Sequence, residues 1–150
     1  MRRSVLTVLL LFLLATVSSG TEAKMNGIYN VSGGCSCHGS VTVPYSLAGN
    51  PATYSPGTTY SLTISMTSGT FSVGGFSIEV TKGTLSNPGT NVKINSPANS
   101  ATHTTRSASP WMVDWTAPSQ GSGTVTLNLD VVGANANGQN SGDETSTFSV

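Results

Sequence analysis

Strict alternation of apolar and polar residues along four stretches of the chain constrains its fold more than any other feature. Successive side chains of an extended strand point to opposite faces of a sheet, so the alternation predicts strands with one face in a core and the other in water. The four stretches are residues 60–66, 76–80, 111–115 and 125–131. Trp111 and Trp115 fall on one face of the third stretch, which predicts that both fill a core.

Turn-forming residues separate these stretches. They are Asn50-Pro51, Ser55-Pro56-Gly57, Gly74-Gly75, Asn87-Pro88-Gly89 and Asn137-Gly138. Weaker strands are predicted at residues 41–47, 92–95 and 145–150. Short strands divided by turns in this way indicate an all-β fold, an antiparallel immunoglobulin-like β-sandwich.

The first 23 residues predict a secretory signal peptide. Arg2 and Arg3 form a basic start, and residues 5–17 form an apolar run that is short for a membrane span and is followed by small residues. Cleavage after Gly20 or after Ala23 fits the pattern, and a retained N-terminal anchor is the alternative. We expect a secreted or extracytoplasmic protein at the cell surface, with membrane contact only through the signal. Residues 24–39 are predicted to be an extended arm and residues 40–150 the sandwich domain.

The chain carries six Lys and Arg residues and six Asp and Glu residues, so its formal net charge is zero. A protein that binds nucleic acid through its charge would show a basic excess, and nucleic acid is therefore not an expected partner. Neither His38 nor His103 sits in a nucleophile motif. Asp143 and Glu144 would point to opposite faces of a strand, which makes them a poor acid–base pair. We therefore expect no enzymatic activity.

The segment from Gly133 to Glu144, GANANGQNSGDE, is rich in side-chain oxygens. Asn135, Asn137, Asp143 and Glu144 could supply oxygen ligands to calcium, but only two of them are charged and their spacing matches no EF-hand loop. We interpret the segment as a long turn whose Asn side chains bond their own backbone.

Five segments occur in an order that resembles the Reelin-like (Reeler) domain. They are YSPGTTYSLTISM, GGFSIEV, ATHTT, WMVDWTAP and GANANGQNSGD, and the resemblance covers roughly Gly34 to Val150. It is closest to the microbial branch found in choice-of-anchor type V proteins. The family implies an extracytoplasmic β-sandwich. Members of that branch often carry a cysteine-rich segment that ends in Cys-His before the first strand, and many have the c-type haem signature Cys-x-x-Cys-His.

Here the corresponding segment is Cys35-Ser36-Cys37-His38, with one residue between the cysteines instead of two. In a haem c site two thiolates add to the haem vinyl groups and the adjacent histidine ligates the iron. Cys35 and Cys37 would tether a covalent haem c, and His38 would be its proximal ligand. His103 would be the distal ligand, with Met25, Met66 and Met112 as alternative sulfur ligands.

Other interpretations of the same residues remain open. An oxidising compartment favours a disulfide, either a small Cys35–Cys37 ring or a bond between chains. Zinc or copper could be bound by Cys35, Cys37, His38 and His103. Three of these ligands lie within four consecutive residues, which makes a tetrahedral site hard to form. His103 could instead be a structural residue whose ring bonds a neighbouring backbone group.

The sequence therefore predicts a secreted β-sandwich that carries haem c and transfers electrons to a redox partner protein outside the cytoplasmic membrane. The alternative is a cofactor-free module for surface binding, adhesion or filament formation. Its partners would be neighbouring surface subunits, including copies of itself, because an exposed edge strand can pair with another chain.

Overall fold

A computed structural model describes residues 24–30, 38, 42–67 and 71–150. Within these residues it has nine strands. They are β1 (Tyr45–Ala48), β2 (Thr59–Met66), β3 (Val73–Val80), β4 (Thr84–Ser86), β5 (Val92–Ile94), β6 (Ser100–His103), β7 (Trp111–Thr116), β8 (Leu127–Ala134) and β9 (Glu144–Ser149). None of the described segments forms a helix that is long and apolar enough to cross a membrane.

The strands form two antiparallel sheets that pack against each other. Sheet A has the order β1-β2-β7-β4, and sheet B has the order β5-β6-β3-β8-β9. The core between them holds the apolar faces of the central strands, and Trp111 and Trp115 are almost completely buried in it. The Trp111 ring lies 5.3 Å from the Phe76 ring of the opposite sheet. These features confirm the predicted all-β sandwich and the core position of both tryptophans.

The four strongly alternating stretches are β2, β7, β3 and β8, all of which have a hydrogen-bonded neighbour on each side. In an interior strand every second side chain packs into the core, so the apolar residues of its sequence recur with a clear period of two. β8 begins at Leu127, two residues later than the alternation predicted. Of the weaker strands, the first is shifted towards the C-terminus of its predicted range, to Tyr45–Ala48.

The predicted turn at Gly74-Gly75 was wrong, because both residues lie within β3 and pair with Gly133 and Val132 of β8. Glycine is needed there for a different reason, which is close packing. A Cβ atom at Gly74 would meet the Val132 carbonyl and the Met66 sulfur, and one at Gly75 would meet the His103 ring. A glycine in a strand often marks such an approach.

The beginning of the arm, residues 24–30, lies against β6. The Asn30 amide donates a hydrogen bond to Ser100 Oγ at 3.1 Å. Gly27 adopts a φ of 64°, and a Cβ there would meet Thr102 Oγ1 and the His103 carbonyl. Ser100 and Thr102 are fully buried although they are polar. Residues 24–30 therefore cover this part of sheet B, with Gly27 beside Thr102 and His103.

Candidate functional site

A small cleft, about 80 Å³ in volume and open to solvent, lies where the arm meets the start of β3 and the loop between β8 and β9. Both histidines of the chain line it, although they are far apart in the sequence. Other lining residues include Lys24, Met25, Gly74, Gly75, Arg106 and Asp143. The fold therefore brings His38 of the arm and His103 of the sandwich to one place.

His103 is the last residue of β6. At this position its side chain, rather than its backbone, contacts the backbone of β3. The backbone pairing between β3 and β6 ends at Ser77 and Thr102. Beyond that point His103 Nδ1 lies 3.1 Å from the Phe76 amide nitrogen and 3.2 Å from the Phe76 carbonyl oxygen. The Thr102 hydroxyl donates to the same carbonyl at 2.6 Å. The imidazole thus continues the connection between the two strands.

Nδ1 of His103 can accept from the Phe76 N–H or, when it carries the proton, donate to the Phe76 carbonyl, so either tautomer keeps a bond to the Phe76 backbone. The ring also has a hydrogen bond with the Lys24 carbonyl. Burial lowers the pKa of His103 below its ordinary value, and the nearby Lys93 acts in the same direction. His103 is therefore neutral at pH 7.

His38 is held by an acidic residue from the other end of the chain. Its Nδ1 lies 3.1 Å from Asp143 Oδ2, and the Asp143 side chain is only 3% exposed. The other carboxylate oxygen, Oδ1, accepts the backbone N–H of Asn135 at 3.1 Å. An ionised carboxylate only accepts, so His38 Nδ1 is the donor in this contact. In the neutral ring, Nε2 then keeps its lone pair.

Of the remaining predicted site residues that the structure describes, only Met25 is found among those that line the cleft. Cys35 and Cys37 lie outside the described residues. Met25 lines the cleft with its side chain largely exposed. Met66 packs towards Gly74, and Met112 is half-exposed on β7, so neither is among the lining residues. Within the described residues, no group of three or more His, Cys, Asp or Glu side chains is arranged to hold a metal ion.

The segment between β8 and β9 confirms the turn interpretation. Asn135 Oδ1 accepts the Asn137 N–H at 3.0 Å, and Asn137 Oδ1 accepts the Gln139 N–H at 2.7 Å. The sequence had indicated that Asp143 belonged to this turn, but not that it contacts His38. Arg106 is exposed and lines the cleft. Neither role has a local sequence signal, because both depend on how the sheets place distant residues.

Comparison with solved structures shows the same fold. The Reelin-N domain of F-spondin has a TM-score of 0.54 and 21% sequence identity, over 83% of this chain and 91% of that chain. A human F-spondin reeler domain has a TM-score of 0.51 and 24% identity, over 74% of this chain and 93% of that chain. No curated protein matches with significant sequence similarity.

The family comparison is more specific than the structural one. The family model described as the Reeler domain matches residues 34–137, which is more than half of the chain. The matched region runs from the glycine before Cys35 into the loop between β8 and β9, and it includes His38 and His103. The chain belongs to the Reeler domain family.

Proposed function

We propose that this chain is an extracytoplasmic Reeler module that carries one c-type haem at the cleft and transfers electrons. The convergence of His38 and His103 on one cleft is the observation that carries the proposal. His38 directly follows Cys37, so a haem joined to Cys35 and Cys37 by thioether bonds would be tethered beside this cleft. The haem would supply one-electron redox chemistry.

Three side chains of the cleft support this proposal. Asp143 orients His38 and leaves its Nε2 with a lone pair, the form in which imidazole binds iron. Lys24 and Arg106 supply positive charge for the haem carboxylates. The cleft is small, so a haem there would remain partly exposed to solvent.

Two side chains of the cleft could complete the coordination of the iron. His103 would have to release a backbone group of Phe76 or Lys24 that its ring already bonds. Met25 is largely exposed and would need no such change. Met66 and Met112 are not among the lining residues of the cleft, which supports Met25 as the sulfur alternative.

The identity of the second axial ligand of the iron, which would complete six-coordination, is tested by comparing His103→Ala and Met25→Ala with the wild-type holoprotein. We expect one of the two variants to lose the low-spin six-coordinate visible spectrum and the other to keep it, because iron takes one ligand on that side. Met112→Ala is the matched control, since this methionine is half-exposed on β7 and does not line the cleft. Unchanged spectra in both test variants would contradict ligation from the cleft.

A cofactor-free surface module is the second candidate, and two observations favour it. The His103 ring already hydrogen-bonds to backbone groups of Phe76 and Lys24, as expected of a structural histidine. In addition, β9 is an edge strand of sheet B, and Phe148 within it and Val150 just after it are partly exposed. Such an edge could pair with a neighbouring subunit, and Cys35 and Cys37 would then form a disulfide. Concentration-dependent assembly of a colourless protein would favour this candidate.

Secretion is part of both proposals. The apolar N-terminal run and the membership of the Reeler family support an extracytoplasmic location at the cell surface. A redox partner protein would be needed in the first case and neighbouring subunits in the second. Retention at the surface is also part of the proposal, as the sequence resemblance to the choice-of-anchor branch implies.

A further inference from the structure

We infer that Asp143 is the positioning residue of the cleft, because its carboxylate fixes the tautomer and the place of His38. The contact itself is independent of any cofactor, whereas its effect on an iron ligand rests on the proposed function. Asp143 would not touch the haem itself. It acts through His38, which it joins across 105 positions of the sequence.

The two oxygens of Asp143 have separate partners. Oδ1 accepts the Asn135 N–H at 3.1 Å, which leaves Oδ2 to accept from His38 Nδ1 at 3.1 Å. Asn135 is in turn fixed, because its side-chain amide donates to the Ser141 carbonyl at 2.9 Å. The carboxylate is thus held by the turn on one side and is directed at the imidazole on the other.

Burial makes this contact more than a surface ion pair. The side chains of Asp143 and His38 are 3% and 15% exposed, respectively. A buried carboxylate oxygen without a partner is costly, so loss of His38 would leave Asp143 poorly satisfied. Exposed ion pairs contribute little, but a buried hydrogen bond to a charged group contributes more and fixes geometry. The contact therefore also secures the C-terminal end of the arm to the β8–β9 loop.

The contact with Asp143 determines which ring nitrogen of His38 is available to bind iron. A carboxylate on Nδ1 holds the proton there and leaves Nε2 as the ligating atom, and it raises the basicity of that atom. In a holoprotein this would stabilise the oxidised iron and lower its reduction potential. No other described acidic residue lines the cleft, since Glu144, Glu79, Asp114 and Asp130 are not among its lining residues.

The test uses ¹⁵N-labelled protein and long-range ¹H–¹⁵N spectra of the histidine rings, recorded where the rings are neutral. Wild-type His38 is expected in the Nδ1–H tautomer. Asp143→Asn keeps the shape but can turn its amide N–H₂ towards the ring, so we expect the Nε2–H tautomer or a mixture. Glu144→Gln removes the adjacent negative charge and should leave the tautomer unchanged. His38 in the Nε2–H tautomer in the wild-type protein would overturn the inference without any variant.

The holoprotein gives a second readout. Asp143→Asn should raise the reduction potential of the haem, whereas Glu144→Gln should change it much less. Equal potentials in the wild-type protein and Asp143→Asn would overturn the proposed effect on the iron. A wild-type protein without haem would instead contradict the proposed function, and the tautomer measurement would still decide the role of Asp143.

Discussion

Replacement of Trp111 by Ala is expected to lower the free energy of unfolding by about 3–5 kcal/mol. The Trp111 side chain is 1% exposed, and its ring packs against Phe76 across the two sheets. Its Nε1 also donates to Ser107 Oγ at 2.9 Å, so truncation removes a hydrogen bond as well as core volume. A domain of this size is commonly stable by about 5–15 kcal/mol, and the variant should therefore be only marginally folded.

Met112→Ala is the matched control for this prediction. Met112 is the next residue of the same strand but is 50% exposed, so its truncation should change the stability by about 0.5 kcal/mol or less. Denaturant unfolding followed by the fluorescence of Trp115, which both variants retain, measures the two effects. A loss below about 1 kcal/mol for Trp111→Ala would contradict the described core.

Gly75→Ala is expected to displace the His103 ring from β3 while the sandwich stays folded. A Cβ at this position would come within 2.6 Å of His103 Nδ1 and 2.7 Å of Nε2, which is too close for any real contact. The imidazole must then leave the Phe76 amide to which it bonds. We expect a stability loss of about 1–3 kcal/mol, typical of overpacking. The His103 ring signals should also change, and Asn30 and other arm amides should exchange faster.

Gly89→Ala provides the comparison for Gly75. Its backbone also lies outside the left-handed region, but a Cβ there would meet only Met112, at 3.1 Å from its carbonyl oxygen. This variant should leave the His103 signals unchanged. If Gly75→Ala also left them unchanged, the close packing of His103 on β3 would be wrong.

The sequence predicted the central strands because each of them has one consistently apolar face. It failed at β4 and β6, which have only three and four residues and show no period. In β6 both faces are buried, because Ala101 is as fully covered as the polar Ser100 and Thr102, which lie beneath the arm. No pattern within β6 could indicate that another segment covers it.

The candidate site was predictable only in part. The cluster of Cys35, Cys37 and His38 is visible in the sequence because its members are adjacent. The contact between His38 and Asp143 is not visible, since only the path of the sheets brings them together. Gly75 was interpreted as a turn residue because glycine supports both turns and close packing, and the sequence does not distinguish these uses.

The haem proposal is tested most directly by the visible spectrum of the full chain, purified from its native host and extracted with acid–acetone. We predict a Soret band that stays with the protein, because thioether bonds from Cys35 and Cys37 would retain the haem through extraction. Protein without a Soret band, with a mass two hydrogens below that of the reduced chain, would contradict the haem site. Cys35 and Cys37 would then form a disulfide, and the chain would be a surface module without a cofactor.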